Sequence, residues 1–162
     1  MYERRVHVKV GSSSLPSFSQ EDLLLILCFH CVKNRWERLK HMVDIAEFIC
    51  NQSDLDWNRI LFISHKLRCE KILFVSLALT RATVGLELPQ NVLERLDAHP
   101  KLQVIAKRAV TELPERMSTG VASFSDRFRD NLTVLDTRRG KLRYITMAIF
   151  RRVSDLVGSN LD

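Results

Sequence analysis

The sequence predicts a mainly α-helical protein, a bundle of about six to eight helices with one N-terminal β-strand. Apolar residues recur at helical spacing over most of the chain, and short breaks containing polar residues, proline or glycine separate these segments. Only residues 5–10 alternate with a period of two. At 162 residues the chain is long enough to bury a substantial core within one domain.

The predicted strand, Arg5-Val6-His7-Val8-Lys9-Val10, alternates basic and apolar residues and stops at Gly11. The serine-rich residues 11–17, with Pro16, predict a loop and offer no partner strand. A single strand cannot satisfy its own backbone donors and acceptors. We therefore expect that it is left from, or pairs with, a missing sheet, that a second copy of the chain supplies the partner, or that the segment is disordered.

The first helix is predicted from about Gln20, because a serine followed by Gln-Glu-Asp is typical of an N-cap with acidic residues in the first turn. It extends to about Val32, and it either bends near Asn34 or restarts as a second helix that reaches Ile49. Apolar residues on most sides of residues 23–29 place this helix at the centre of the bundle.

The remaining helices are separated by recognisable caps and breakers. Residues 53–56 open a third helix, and a strongly apolar helix from Cys69 to Val84 ends at Gly85. Two shorter helices follow, separated by His99-Pro100, and the tail divides at Arg138-Arg139-Gly140. The predicted ranges after Gly85 are helices at 91–98 and 102–113, a loop at 114–125, and helices at 126–135 and 141–156.

The formal net charge is +6, and the excess of basic residues lies in the tail. Residues 126–152 hold eight basic residues and three acids. Such a tail can meet phosphates, or it can be a solvated helix face with an acidic counterpart elsewhere. Binding of nucleic acid is not favoured, since few aromatic residues that could stack on bases accompany these cations.

The longest apolar run, residues 23–29, is far shorter than a membrane span of about 20 residues. The N-terminus has no apolar signal core. We therefore expect a cytoplasmic protein that makes no use of a membrane.

Four cysteines lie in predicted apolar helices, which favours reduced, buried thiols over a disulfide framework. The pair Cys28-x-x-Cys31, with His30 and His41 nearby, raises a zinc site as an alternative. Structural zinc sites need four converging ligands, usually from loops or turns. Packing in the core is therefore the favoured interpretation.

The segment 28–46 places cations, a tryptophan and one acid at helical spacing. In a continuous helix, Lys33, Lys40 and Asp44 fall within roughly 40° of one another, with Trp36 about 60° to one side. This stripe indicates a substrate or nucleotide site beside the packed face. The structural alternative is that Lys40 and Asp44 form an ordinary i, i+4 pair and that Trp36 belongs to the core.

The same segment resembles the Lys-His-x-Trp-x-Arg-Leu and Asp-x-Ala signature of an uncharacterised family of polymerase-β-like nucleotidyltransferases. Residues 16–25, residues 54–57 and the basic residues 126–152 are also similar to this family. The resemblance spans nearly all of the chain and implies the C-terminal helical half of a family member. For the site, the resemblance implies that Lys33 contacts a phosphate and that Asp44 orients Lys33 or touches the substrate. It also implies that Trp36 forms a wall of the site.

A complete family member is expected to use Mg²⁺ and a nucleoside triphosphate, with the metal ions held by an Asp-x-Asp or Asp-x-Glu pair on a strand. Asp54-Leu55-Asp56 has this spacing but opens a helix and has no Gly-Ser turn before it, so we interpret it as helix capping. We therefore predict no catalytic residue, no metal ligand and no cofactor bound by this chain alone.

The predicted organisation is a strand and loop at residues 1–18, forming the edge of a missing nucleotidyltransferase sheet, a helical domain at 19–157 and a disordered tail at 158–162. The first hypothesis is a truncated nucleotidyltransferase portion, inactive by itself, whose partner is the missing or separate sheet domain. The alternative is a helical interaction module that docks on a partner, or forms a homodimer, through the N-terminal strand and the basic tail. Binding of nucleic acid through the tail is a third hypothesis and the least favoured.

Overall fold

A computed structural model describes residues 5–33 and 38–119 of the chain. Within these ranges the protein is mainly helical, with six helices and a two-stranded antiparallel sheet, which confirms the predicted fold class. The elements are β1 (Arg5–Val10), β2 (Ser13–Phe18), α1 (Gln20–Lys33), α2 (Leu39–Cys50), α3 (Trp57–Lys66), α4 (Glu70–Val84), α5 (Gln90–Asp97) and α6 (Pro100–Thr119).

The predicted strand has its partner within the chain. β1 pairs with β2 in an antiparallel register that runs from Val10 opposite Ser13 to Arg5 opposite Phe18. The prediction of a loop over residues 11–17 was therefore wrong. Gly11 has a φ of +60°, whereas Ser12 does not have a positive φ, a combination typical of the two-residue type II′ turn. The Gly-Ser pair after an alternating run was the available signal, and the low apolarity of residues 13–17 obscured it.

Helix α1 begins at Gln20, as predicted, and ends at Lys33. The Ser19 hydroxyl accepts a hydrogen bond of 3.2 Å from the backbone N–H of Asp22, which satisfies one of the unpaired donors of the first turn. Helix α2 begins at Leu39, directly after Arg38, whose φ of −127° and ψ of 119° are those of extended backbone. Of the two predicted alternatives, the structure thus has a second helix after a break.

Helix α4 forms the centre of the described fold. Every residue from Ile72 to Thr80 is buried, and α4 packs against α1, α2, α3 and α6. Its buried hydroxyls are satisfied, since Ser76 donates to the Cys28 carbonyl at 3.1 Å and Thr80 donates to the Ser76 carbonyl at 2.9 Å. The helix ends, as predicted, at Gly85, which adopts the left-handed conformation at φ 73°.

Helices α5 and α6 lie where two short helices were predicted, but α6 is longer at both ends. It begins at Pro100, a residue type that suits the first helical position, and it continues through Pro114 to Thr119. The predicted end at residue 113 was therefore wrong. Packing on α4 extends along α6, whose residues Leu102, Ala106 and Leu113 are buried. Since proline costs a helix one backbone hydrogen bond, burial along this face is the compensating interaction.

The loop was predicted at 114–125, and its residues 114–119 belong to α6 instead. Residues 120–125 of that loop, the helices predicted at 126–135 and 141–156 and the tail at 158–162 lie outside the described residues. None of the helices between residues 5 and 119 has the length and apolar character needed to cross a membrane.

The four cysteines all lie in the described ranges, and none forms a disulfide. Cys28 and Cys31 are buried, whereas Cys69 is partly exposed and Cys50 is exposed. The prediction of buried thiols is thus confirmed for the pair in α1 and wrong for Cys50, which lies at the last position of α2.

Candidate functional site

The predicted site residues lie around the point where α1 ends and α2 begins. Lys33 is the last residue of α1, and Lys40 and Asp44 lie in the first two turns of α2. The stripe on one continuous helix was a wrong expectation, because the extended backbone at Arg38 separates the two helices and removes the fixed angle between Lys33 and Lys40. Trp36 lies outside the described residues. The role of these residues in binding stays a prediction.

Lys40 and Asp44 form an ion pair on the surface of α2. The Lys40 Nζ lies 3.2 Å from Oδ1 and 3.1 Å from Oδ2 of Asp44. The Lys40 side chain is 75% exposed and that of Asp44 is 33% exposed. Such a pair contributes only a few tenths of a kcal/mol to stability. It does, however, bias the position of an ammonium group that solvent and ligands can reach.

Two histidines that the sequence analysis named only with the alternative zinc site meet at the same place. The rings of His30 in α1 and His41 in α2 are in edge-to-face contact, with centroids 4.9 Å apart and planes at 85°. Partial burial is the main cause that lowers the pKa of His41, and His30, Lys40 and Arg38 lower it further, while Asp44 opposes them. Sequence spacing gave no signal for this contact, because it depends on how two separate helices pack.

The start of α2 is cationic. Among the described residues no side chain caps this helix, and its first turn contains no acid. The partial positive charge of the helix N-terminus therefore lies close to Arg38 and Lys40 without a capping carboxylate. Lys33 follows His30 by three residues and so shares a face of α1 with it. We call His30, Lys33, Lys40, His41 and Asp44 the junction site.

The interpretation of Asp54 and Asp56 as capping residues is confirmed for Asp56. Its side chain is the N-cap of α3 and accepts a hydrogen bond of 2.9 Å from the backbone N–H of Arg59. One Asp56 oxygen is therefore engaged by the helix that follows.

The Cys-x-x-Cys pair lies inside the core. Burial raises the pKa of both thiols, that of Cys31 to about 12, so that both are protonated at neutral pH. Between residues 5 and 33 and between 38 and 119, no three or more His, Cys, Asp or Glu side chains are grouped so that they could hold a metal ion. Both thiols lie beside the Ser76 side chain of α4, whose hydroxyl also donates to the Cys28 carbonyl.

Comparison with protein families finds a match over the first half of the chain. Residues 1–85 match the family described as uncharacterised nucleotidyltransferase. The chain belongs to this family. The matched range includes the β-hairpin, α1 to α4 and the whole junction site, and it ends at Gly85, the residue that terminates α4. No significant match was found among curated proteins or among solved structures.

Proposed function

We propose that this chain is the helical, substrate-side portion of a nucleotidyltransferase and that the junction site contacts the phosphates of a nucleoside triphosphate. In this proposal Lys33 and Lys40 bind phosphate oxygens, Asp44 orients Lys40 and Trp36 forms a wall for the substrate. The family membership over residues 1–85 is the observation that carries the proposal.

The charges at the junction site support this role. Lysine ammonium groups bind phosphates as point charges, and the ion pair with Asp44 leaves the Lys40 side chain 75% exposed. The N-terminus of α2 adds a favourable field for an anion. His41 lies close enough to Lys40 for that ammonium group to help lower its pKa, so His41 adds positive charge only when the pH falls.

Nucleotidyl transfer also needs carboxylates that hold two Mg²⁺ ions, align the attacking oxygen and neutralise charge on the phosphates. We propose that a separate or missing sheet domain supplies them and that residues 1–18 adjoin that sheet. This chain by itself would then bind nucleotide weakly and transfer none. A cytoplasmic location fits four cysteines that form no disulfide.

Two measurements on the full chain test the proposal. Incubation with Mg²⁺ and each nucleoside triphosphate should give no detectable transfer. In an NMR titration with Mg-ATP, the ring signals of His30 and His41 should shift, and the Lys40→Ala variant should bind about fivefold more weakly, as expected for the loss of one charged contact.

The matched control is Lys107→Ala, which removes an exposed lysine from α6 and should leave binding unchanged within about twofold. The proposal is wrong if Lys107→Ala and Lys40→Ala weaken binding equally, since the effect would then reflect net charge alone. Robust turnover that is abolished by changing Lys33 or Asp44 would show a complete catalytic centre and would equally overturn it.

The second candidate function is a helical interaction module that docks through its N-terminal strand and basic tail. The exposed apolar residues of the hairpin favour it: Val8 is 46% exposed and Val10 is 59% exposed. Light scattering at several concentrations tests self-association. A monomer at every concentration would count against a homodimer.

A further inference from the structure

The β-hairpin has one apolar face that is open to solvent. The register places Val8 opposite Leu15, and Val6 and Val10 lie on the same face as this pair. The exposed fractions of the four residues range from 42% to 59%. A two-stranded hairpin with an uncovered apolar face is marginally stable by itself. This face therefore has the character of a docking surface.

The two outer edges of the hairpin differ in the backbone hydrogen-bonding groups that they offer to a further strand. The two-residue loop makes Val10 and Ser13 the first hydrogen-bonded pair, so the pairs alternate and His7 opposite Pro16 is a non-hydrogen-bonded pair. The backbone groups of such a pair point outward. Pro16 has no N–H, so the outer edge of β2 lacks a donor at this position. The outer edge of β1 presents N–H and C=O groups at both His7 and Lys9.

The side chains along β1 indicate which side chains a strand paired with its outer edge would need. His7 and Lys9 are exposed on the face opposite the valines. If β1 of a second copy paired antiparallel to it, centred on Val8, His7 would face Lys9 of that copy, so no acidic side chain would lie opposite either residue. Acidic side chains at these positions would be attracted instead.

We propose that the outer edge of β1 is a docking site for an extended segment of another polypeptide that alternates acidic and apolar residues. The segment adds a third strand through the backbone groups of His7 and Lys9, directs its acids towards these two side chains and extends the apolar face formed by Val6, Val8 and Val10. This inference deepens the second candidate function and rests on it, and it is independent of nucleotide binding.

The test uses the full chain and a fluorescent eight-residue peptide of alternating glutamate and valine, with a lysine-valine peptide as the control for charge. By fluorescence anisotropy, the glutamate peptide should bind at least about tenfold more tightly than the lysine peptide, and the difference should shrink at high salt. Binding should also slow hydrogen exchange at the Lys9 amide, which points outward.

Two proline variants separate the edges. His7→Pro removes an outward N–H from β1 and should weaken binding of the glutamate peptide at least about tenfold. Ser14→Pro removes an outward N–H from β2 and should change binding less than about twofold. Both substitutions leave the donors between the strands in place, and hydrogen exchange at Val8 and Val10 verifies that the hairpin is intact.

Three results would overturn the inference: equal affinity for the two peptides, equal loss of binding in the two proline variants, or no binding of either peptide. If the third result is accompanied by a concentration-dependent dimer in light scattering, the occupant is a second copy, and the interaction function survives without the acidic strand. The Mg-ATP titration is unaffected by any of these outcomes.

Discussion

The centre of α4 and the valine face of strand β1 both carry apolar side chains, but these side chains differ in burial. Every side chain from Ile72 to Thr80 is buried, and Leu73 and Val75 are 0% exposed. In β1, Val6 and Val10 are 42% and 59% exposed. Apolar residues stabilise a fold only when a second layer removes them from water, and α4 has helices packed around it.

The difference in burial also predicts different roles for α4 and β1. Burying a valine fully is worth about 1.5–3 kcal/mol, so the valines of β1 contribute much less to folding than their number suggests. Exposed apolar side chains that contribute little to the stability of the fold are typical of interaction surfaces. The comparison therefore predicts that substitutions in α4 affect stability and that substitutions in β1 affect association.

The largest expected effect is that of Phe74→Ala. Phe74 is 1% exposed, and its truncation leaves a cavity in the core, so the free energy of unfolding should fall by about 3–5 kcal/mol in urea denaturation. The control is Phe62→Ala on α3, where the ring is 67% exposed and the change should stay within about 0.5 kcal/mol. Equal losses would mean that α4 is not the centre of the fold.

The same substitution in both regions gives the most direct comparison. Val75→Ala removes two buried methyl groups and should lower the free energy of unfolding by about 2 kcal/mol. Val8→Ala, at a side chain that is 46% exposed, should lower it by less than about 0.5 kcal/mol. If Val8→Ala proves as costly as Val75→Ala, another part of the protein covers the hairpin in solution.

Removal of a helix cap should have a smaller effect than removal of core volume. Asp56→Ala deletes the acceptor for the Arg59 N–H and should lower the free energy of unfolding by about 1 kcal/mol. Asp54→Ala makes the same change in charge two residues away and serves as the control. A similar loss in both variants would point to general electrostatics instead of capping.

The smallest expected effect is on the pH dependence of stability, through the partly buried side chain of His41. The pKa of His41 is lowered in the folded protein, so near an unfolded-state value of about 6.5 the unfolded chain binds more protons. The contribution of His41 to stability is complete above that pH and declines as the pH falls through it. Urea denaturation from pH 8 to pH 5.5 should therefore show a shallower pH dependence in His41→Gln than in the parent protein. Identical profiles would show that His41 does not titrate differently in the two states.

Local signals in the sequence were sufficient for most helices. The start of α1, the cap at Asp56 and the end of α4 at Gly85 agree with prediction because each depends on residues within a few positions. Two errors had a common origin: in both cases the local composition favoured a loop, whereas pairing or packing with another part of the chain formed a strand or a helix. Low apolarity at 13–17 concealed β2, whose pairing is set by its turn, and Pro114 did not end a helix that packs along α4.

For the candidate site, the sequence predicted a segment but not the arrangement of its side chains. It indicated the region around Lys33, Lys40 and Asp44 and, through the resemblance, the family that residues 1–85 match. The ion pair of Lys40 and Asp44 is also readable, since it joins residues four apart on one helix. The contact between His30 and His41 could not be predicted from the sequence. These residues are eleven positions apart on two helices, and no local spacing specifies the angle between those helices.

The amino-acid sequence by itself thus determined the helical class and the caps at Ser19, Asp56 and Gly85, because caps and periodicity act over a few residues. Its motifs, through resemblance, indicated the nucleotidyltransferase family. Only the tertiary structure decided that the alternating strand folds back on a serine-rich partner, that the helix breaks before Leu39 and that two histidines meet. These outcomes depend on competition between local preference and burial against distant parts of the chain, and burial prevails where a second layer is present.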